Sequence, residues 1–223
     1  MTRHDTDAPP IGRWVPPALI ALSFVPIVAG AFRLLEVAGG PATLPPHAGI
    51  TASPLPVVVH IVSAVAFTTL GAFHFSPRFR TRRPAWHRVS GRVAAVAGLA
   101  VAASAMWMAL FYEGGAHSGA LVSEVRLVFG AAMAASILLG VAAIRRRDAN
   151  GHRAWMVRGY ALGLGAGTQV FTEGFGEPIL GNGEISAAVL LAAGWVINLA
   201  VAQRIILRQP RQHLDSRAAL KVA

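Results

Sequence analysis

The chain has 223 residues, of which 54% are hydrophobic and only 13% are charged, and its mean hydropathy is +0.53. A water-soluble domain is usually about one-quarter charged, so this composition excludes an ordinary soluble fold. The net charge of +10 does not indicate a nucleic-acid partner, because the basic residues flank hydrophobic segments and do not line one soluble surface.

Six hydrophobic segments follow one another along the chain, and each is long enough to cross a bilayer core about 30 Å thick. They are Trp14–Leu35, Leu55–Phe75, Val89–Phe111, Leu121–Ile144, Ala154–Phe171 and Ile185–Ile206. The first is too long for the apolar core of a cleavable signal peptide, so we expect it to be retained. These segments predict an all-α integral membrane bundle of six transmembrane helices over residues 14–207, with tails at 1–13 and 208–223.

The basic residues predict how these helices are oriented. If the N-terminus is cytoplasmic, all of the 20 Lys and Arg except Arg33 and Arg126 belong to cytoplasmic tails, loops or helix starts. The outer loops then carry the acidic residues Glu36, Glu113, Glu124, Glu173, Glu177 and Glu184. This asymmetry follows the positive-inside rule. We therefore predict a multi-pass protein of the inner (plasma) membrane, with both termini cytoplasmic and with membrane lipids as its partners.

Two similar motifs begin the third and the fifth helix. His87-Arg88 is followed by Arg92, and His152-Arg153 is followed by Arg158. Each motif follows a basic loop, so the second and third helices and the fourth and fifth helices are either related hairpins or a chance match. The fifth helix also carries glycines at positions 159, 163 and 167, a small-residue stripe that usually marks close helix packing.

The histidines are the residues most suited to hold a cofactor. His60 and His74 lie 14 residues apart on the second helix, which returns them to within about 40° of one direction at a rise of about 21 Å. Haem iron is commonly bound by histidine, and a helix that carries two such ligands has this kind of spacing. His74 also fits a simpler interpretation, a half-wet imidazole at the membrane surface. His60 is an ionisable residue inside an apolar span, which indicates a function by default.

The remaining candidates lie at the starts of the third and fifth helices. His87 and His152 are on the side of His74, so they predict a ligand pair at the cytoplasmic leaflet, whereas a partner for His60 is available only from the loop residues His47 and His117. Arginines 92 and 158 lie about 8 Å further into the membrane than these histidines. They suit haem propionates or phospholipid phosphates, and the alternative is that they extend back to the lipid headgroups.

A resemblance rests on several of these motifs together. They are His60 with Gly71, an arginine-rich loop, Pro84-Ala85-Trp86-His87-Arg88-Val89-Ser90-Gly91-Arg92, and His152-Arg153-Ala154-Trp155-Met156-Val157-Arg158. With this pattern, residues 55–207 resemble a family of bacterial predicted membrane proteins, the domain of unknown function 2306. The resemblance implies a helical bundle with a set of shared positions. These are His60, Gly71, His87, Gly91, Arg92, His152, Trp155, Met156 and Arg158. It implies no activity, and His74 is not among the shared positions.

Three hypotheses about function remain open. The first is a membrane electron-transfer protein, a membrane oxidoreductase if it is an enzyme, that binds haem b through His60, His87 and His152, with Arg92 and Arg158 near the propionates. Without cysteine, such a haem cannot be covalently attached. The second is a small transporter or a lipid- or quinone-binding membrane protein without redox chemistry. The third is an accessory subunit without chemistry of its own. A quinone or a redox protein would be a partner under the first hypothesis, and we expect no nucleic acid.

Overall fold

In the computed structural model, the described residues are 11–76, 83–112 and 119–208, with side chains described from Trp14 onward. All regular structure in them is helical, and the helices are α1 (Ile11–Val37), α2 (Ala48–Ala52), α3 (Leu55–His74), α4 (Pro84–Phe111), α5 (Ala120–Arg145), α6 (Ala149–Gly163), α7 (Gly165–Leu180) and α8 (Glu184–Leu207). Most of both predicted tails, the loop arginines 78, 80 and 82, Glu113 and His117 lie outside the described residues.

Five of these helices are long and apolar enough to cross a membrane: α1 from Trp14, and α3, α4, α5 and α8. The prediction of an all-helical membrane protein is therefore confirmed within the described residues. The predicted bounds of four of them are within three residues of those observed, whereas α4 starts five residues before Val89. Pro84 occupies the first position of α4, where its missing N–H costs no hydrogen bond and its fixed φ suits a helix.

The predicted fifth helix is not one uninterrupted helix. The chain forms α6 and α7, of 15 and 16 residues, with Leu164 between them. Neither part alone is long enough to cross a bilayer core, which takes about 20 helical residues. Side chains of α8 bond to the carbonyl groups at the break: Trp195 Nε1 donates to Leu162 O at 3.1 Å, and Asn198 Nδ2 donates to Ala161 O at 3.1 Å. The break is therefore built into the packing of α6 and α7 against α8.

Most of the packed helix pairs are antiparallel, whereas α1 and α7 run in the same direction. α3 packs against α4, α5 against α4 and α6, α7 against α8, and α1 against α3 and α7. We call the side where α3, α5 and α8 begin the His60 end of the bundle, and the opposite side the His74 end. At the His60 end, Glu184 at the start of α8 accepts a hydrogen bond from the N–H of Leu121 at the start of α5 (2.8 Å).

The core of the bundle lies where α3, α4, α5 and α6 meet. Phe67 and Ile137 are almost fully buried there, with Met133, Tyr160 and Leu162 around them. Large apolar side chains elsewhere point outward, as Trp14 does at 72% exposure and Phe175 at 71%. Such an apolar exterior is costly in water and suits a lipid environment.

Candidate functional site

A cavity of about 740 Å³ lies inside the bundle and extends from the His60 end to the junction of α6 and α7. Its walls are mostly apolar, and the polar or charged side chains among them include His47, His60, Ser123, Arg126 and Gln169. Sites for cofactors and small molecules usually enclose about 300–1,000 Å³ and combine apolar walls with a few placed polar groups. This cavity is therefore the candidate site.

The hydrogen bonds of His60 define which of its nitrogens is available. Nδ1 lies 3.1 Å from Ser104 Oγ and 3.3 Å from Val101 O. The hydroxyl of Ser104 has one hydrogen, which it donates to a backbone carbonyl of its own helix, so its oxygen accepts a hydrogen bond from Nδ1–H of His60. Nε2 then carries the lone pair, and within the described residues no group bonds to it. His60 thus lies in the cavity wall, and in its neutral form Nε2 is an acceptor that no described group uses.

His47 lines the same cavity from the segment between α1 and α3. It caps the start of α2, and its ring packs against Tyr112 at 5.5 Å between centroids. Its Nδ1 is buried and has no hydrogen-bond partner among the described residues. Burial lowers the pKa of His47, and the positive charges of Arg33 and Arg126 lower it further. The imidazole is therefore neutral near pH 7.

The segment that carries His47 is attached to the end of α4. The hydroxyl of Tyr112 donates a hydrogen bond to Ser53 O, and burial raises the pKa of this phenol. Gly49 lies so close to the same ring that a Cβ at this position would be 2.6 Å from Cγ of Tyr112. The absence of a side chain at Gly49 thus allows α2 to lie against Tyr112 at the edge of the cavity.

Arg126 lies about one and a half turns inside α5 and also lines the cavity. Glu173 and His47 are close enough for their charges to interact with it. No hydrogen bond or ion pair to its guanidinium is present in the part of the chain that the structure describes. Arg33 is different, because it pairs with Glu36 at 2.6 Å and donates to Pro45 O at 3.0 Å. Arg126 therefore brings donors into the cavity that the described protein groups do not use.

The other predicted histidines lie at the His74 end. The rings of His74 and His87 are 4.4 Å apart between centroids, and Nε2 of His74 donates to Ser90 Oγ at 2.9 Å. His152 is close enough for its charge to act on His74, and its Nδ1 donates to Gly140 O at 2.8 Å. The structure thus brings His74, His87 and His152 to one end and leaves His60 at the other. Among the described residues, no three His, Asp or Glu side chains are grouped so that they could hold a metal ion.

The two predicted arginines do not line the cavity. Arg158 donates to Gln203 Oε1 at 2.9 Å and lies over the ring of Trp155 at 4.8 Å. Neighbouring side chains therefore offset its position inside the helix. Arg92 is exposed on the surface of α4 and makes no hydrogen bond or ion pair to a described residue. An exposed arginine near a helix start fits the interpretation in which the side chain extends to lipid headgroups.

The glycines of the shared pattern make packing contacts. Gly71 is covered by the ring of Tyr160, whose hydroxyl donates to Thr68 O at 2.8 Å. The space beside Gly71 is thus filled by a side chain of α6. A Cβ at Gly91 would be 3.1 Å from Cε1 of His74. These positions hold the α3–α4 hairpin and α6 close together.

Among the polar cavity residues, His47, Arg126 and Gln169 were not predicted as site residues. Ser104, which bonds to His60, was also not predicted. Arg126 had a signal in the sequence, since it is one of the two exceptions to the charge asymmetry and lies inside a hydrophobic segment. His47 had been considered only as a loop residue within possible reach of His60. Its position depends on how α2 folds against Tyr112, which no local pattern shows.

The arrangement of helices and motifs agrees with the comparison to known families. The profile of the family described as predicted membrane protein (DUF2306) matches residues 57–206, from the third residue of α3 nearly to the end of α8. No curated protein and no solved structure matches the chain. Because the match covers more than half of the sequence, the chain belongs to the DUF2306 family of predicted membrane proteins of unknown function.

Proposed function

We propose that the chain binds haem b in the cavity at the His60 end, where Nε2 of His60 would bind the iron, and that it serves in electron transfer at the membrane. One observation carries the proposal: His60, whose Nε2 bonds to no described group, lines a cavity of about 740 Å³. Haem iron is commonly bound by such a nitrogen. When bound, the haem would supply one reversible electron at its iron.

The residues around the cavity fit this group in two further respects. Ser104 and Val101 hold Nδ1–H of His60, and a hydrogen bond to the other ring nitrogen is how proteins orient a metal-binding histidine. Phe129 and Trp195, which both line the cavity, stack at 4.6 Å with 19° between their planes. Their nearly parallel rings give part of the wall a flat face that suits a planar ligand. The predicted participation of His87, His152, Arg92 and Arg158 in the same site has no support from their positions, which are away from the cavity.

The proposal includes six membrane spans, with both termini cytoplasmic and the cavity in the outer half of an inner membrane. α6 and α7 together would form the fifth span, since they run from the His74 end to the His60 end. The charge asymmetry supports this orientation, because Arg33 and Arg126 alone among the 20 Lys and Arg would lie on the outer side. A quinone or a redox protein would exchange electrons with the haem.

The visible spectrum of the purified protein tests this function. After expression with added haem, we expect a Soret band, and α and β bands that sharpen when dithionite is added. His60→Ala should abolish the pigment. His74→Ala is the matched control, since it removes the same side chain from the other end of α3, and it should retain the full spectrum. A colourless wild-type protein that is folded and monodisperse would refute haem binding. Loss of pigment in His87→Ala and His152→Ala, but not in His60→Ala, would move the site to the His74 end.

A second candidate function is supported by the same acceptor nitrogen. Nε2 of His60 can accept a hydrogen bond from the hydroxyl of a quinol, and the apolar walls suit an isoprenoid chain. This candidate predicts a colourless protein that binds a quinone analogue with an affinity that decreases in His60→Ala.

If His60 instead relays protons in a transporter, proteoliposomes should show pH-dependent flux that His60→Ala abolishes.

A further inference from the structure

Two basic residues are exceptions to the charge asymmetry, and both lie at the His60 end. Arg33 and Arg126 are each close enough to His47 for their charges to act on it. Basic residues on this side oppose the orientation that the rest of the chain favours. A charged residue inside a span is also costly unless it is paired. The presence of both arginines near His47 therefore requires an explanation in the contacts of this region.

The two arginines differ in what their guanidinium groups do. Arg33 is committed, since it pairs with Glu36 and bonds to Pro45 O. Glu36 also accepts hydrogen bonds from the N–H groups of Thr43 and Leu44, so this pair shapes the segment before α2. The structural role of Arg33 thus explains its presence. No comparable bond within the described residues explains Arg126, although Glu173 lies within electrostatic range.

Arg126 and His47 reach the cavity from different elements. Arg126 comes from α5, whereas His47 comes from the segment before α2, and both line the cavity that His60 lines. The buried Nδ1 of His47 is unbonded within the described residues. A guanidinium and an imidazole at one edge of an apolar cavity match a ligand with an oxyanion at one end and an apolar body.

We propose that Arg126 and His47 form the binding site for a carboxylate or phosphate group of a ligand whose apolar body occupies the cavity. Arg126 would donate two hydrogen bonds to the oxyanion in its planar arrangement, and His47 would donate a third. Bound anion would favour a protonated His47. The oxyanion has two possible sources, a propionate of haem or the head of an anionic lipid. Only the first rests on the proposed function.

Paired ligands that differ only in whether their carboxylates are free or esterified test the proposal. The first pair is haem and its dimethyl ester, and the second is a dibrominated fatty acid and its methyl ester. The brominated ligands are detected by quenching of tryptophan fluorescence, because Trp195 lines the cavity. Dissociation constants are measured with the full chain in detergent for the wild type, Arg126→Gln, Arg126→Lys and the control Arg92→Gln.

We expect Arg126→Gln to weaken binding of the acid form of at least one pair about 10- to 100-fold, as loss of a charge-assisted hydrogen bond predicts, and to leave the ester unchanged. Arg126→Lys should restore part of the affinity, and His47→Gln should cause a smaller loss. Arg92→Gln should have no effect, since Arg92 is exposed on α4 away from the cavity. The melting temperature of each variant confirms that it is folded.

The outcomes separate this proposal from haem binding. If haem and its ester both bind in a manner that depends on His60 but not on Arg126, and the fatty acid shows no dependence on Arg126, the oxyanion site is refuted and haem binding stands. If neither haem compound binds but the fatty acid binds through Arg126, haem binding is refuted and the oxyanion site stands with a lipid as its source. Equal effects of Arg126→Gln on acid and ester would also refute the oxyanion site.

Discussion

Hydrogen bonds of individual side chains distinguish the histidines of this protein from one another. His152 and His74 each donate to a group of the opposite helix in their own hairpin, Gly140 O and Ser90 Oγ respectively. His60 also donates to the neighbouring helix, from Nδ1 as His152 does, but of these three histidines it is the one that lines the cavity. Position along a helix does not reveal this difference. The bonded nitrogen and the position relative to the cavity together decide which imidazole can bind a ligand there.

His47 predicts a dependence of stability on pH. Its pKa in the folded protein is below the ordinary 6.5 because of burial and the charges of Arg33 and Arg126. As the pH falls through the ordinary value, the unfolded chain takes up a proton that the folded protein resists, so the free energy of unfolding decreases. We expect the melting temperature of the wild type in detergent to fall more between about pH 8 and pH 5 than that of His47→Gln. Equal decreases in the two proteins would contradict this.

Two glycines predict opposite effects of the same substitution. A Cβ at Gly98 would be 2.6 Å from Cδ1 of Ile137 and 2.7 Å from Cε2 of Phe67, and both side chains are almost fully buried. Gly98→Ala should therefore destabilise the protein by about 1–3 kcal/mol. A Cβ at Gly174 would meet no atom within 4 Å, so Gly174→Ala should be neutral or stabilising by up to about 1 kcal/mol. Thermal unfolding of both variants measures the difference, and a stable Gly98→Ala protein would mean that the core adjusts.

At the scale of elements, the break between α6 and α7 is the main departure from regular helices. It places Leu164 in the cavity wall together with residues on both sides of it. Thr168 donates to Asn198 Oδ1 at 2.7 Å, and Asn198 in turn donates to a carbonyl of α6. Irregular backbone at membrane depth is tolerated where it is buried in protein or lines a cavity. The backbone at this break is buried against α8 and also lines the cavity.

The hydrogen bond from Trp195 to the break between α6 and α7 predicts that its loss will lower the stability of the protein. Trp195→Phe would remove the side-chain donor to Leu162 O, which would keep the N–H of Leu164, while it preserves most of the aromatic packing. We expect a loss of about 0.5–1.5 kcal/mol in stability, the net contribution of one hydrogen bond. Trp107→Phe is the matched control, because Trp107 packs on Phe111 but makes no hydrogen bond within the described residues. Similar melting temperatures for the two variants would show that the bond at the break contributes little.

At the scale of the whole molecule, the hairpins pack side by side and the cavity forms where several of them meet. α1, α3, α4, α5, α8 and the junction of α6 and α7 all contribute to its wall. The two hairpins whose second helices begin with His-Arg motifs, α3–α4 and α5–α6, are closely packed within themselves. Whether they are related by duplication stays a prediction of their sequences.

The proposed orientation predicts which loops an impermeant reagent reaches. The chain has no cysteine, so a single introduced thiol can be labelled without background. Asn182→Cys, between α7 and α8, should react with an impermeant maleimide in intact cells. Asn150→Cys, in the first turn of α6, should react only after the membrane is permeabilised. Labelling of both from the same side would mean that α6 and α7 do not cross the membrane together.

Much of the fold was predictable from the sequence because hydrophobic segments and helix boundaries depend on nearby residues. The segments Leu55–Phe75 and Leu121–Ile144 differ from α3 and α5 by one residue at each end at most. The fifth segment was wrong as a single helix, since its break depends on donors from Trp195 and Asn198, more than 30 residues away. The family assignment was also predictable, and the match to residues 57–206 confirms it.

The sequence by itself determined that this is a membrane protein of packed helices, because runs of apolar residues satisfy a bilayer whatever their neighbours are. It also singled out His60 and indicated Arg126 as an exception to the charge asymmetry. Only the tertiary structure decided that these two residues and His47 line one cavity, while His87 and His152 lie at the other end. The physical reason is that a cavity is a gap between helices, and its place depends on the packing of side chains that are far apart in the chain.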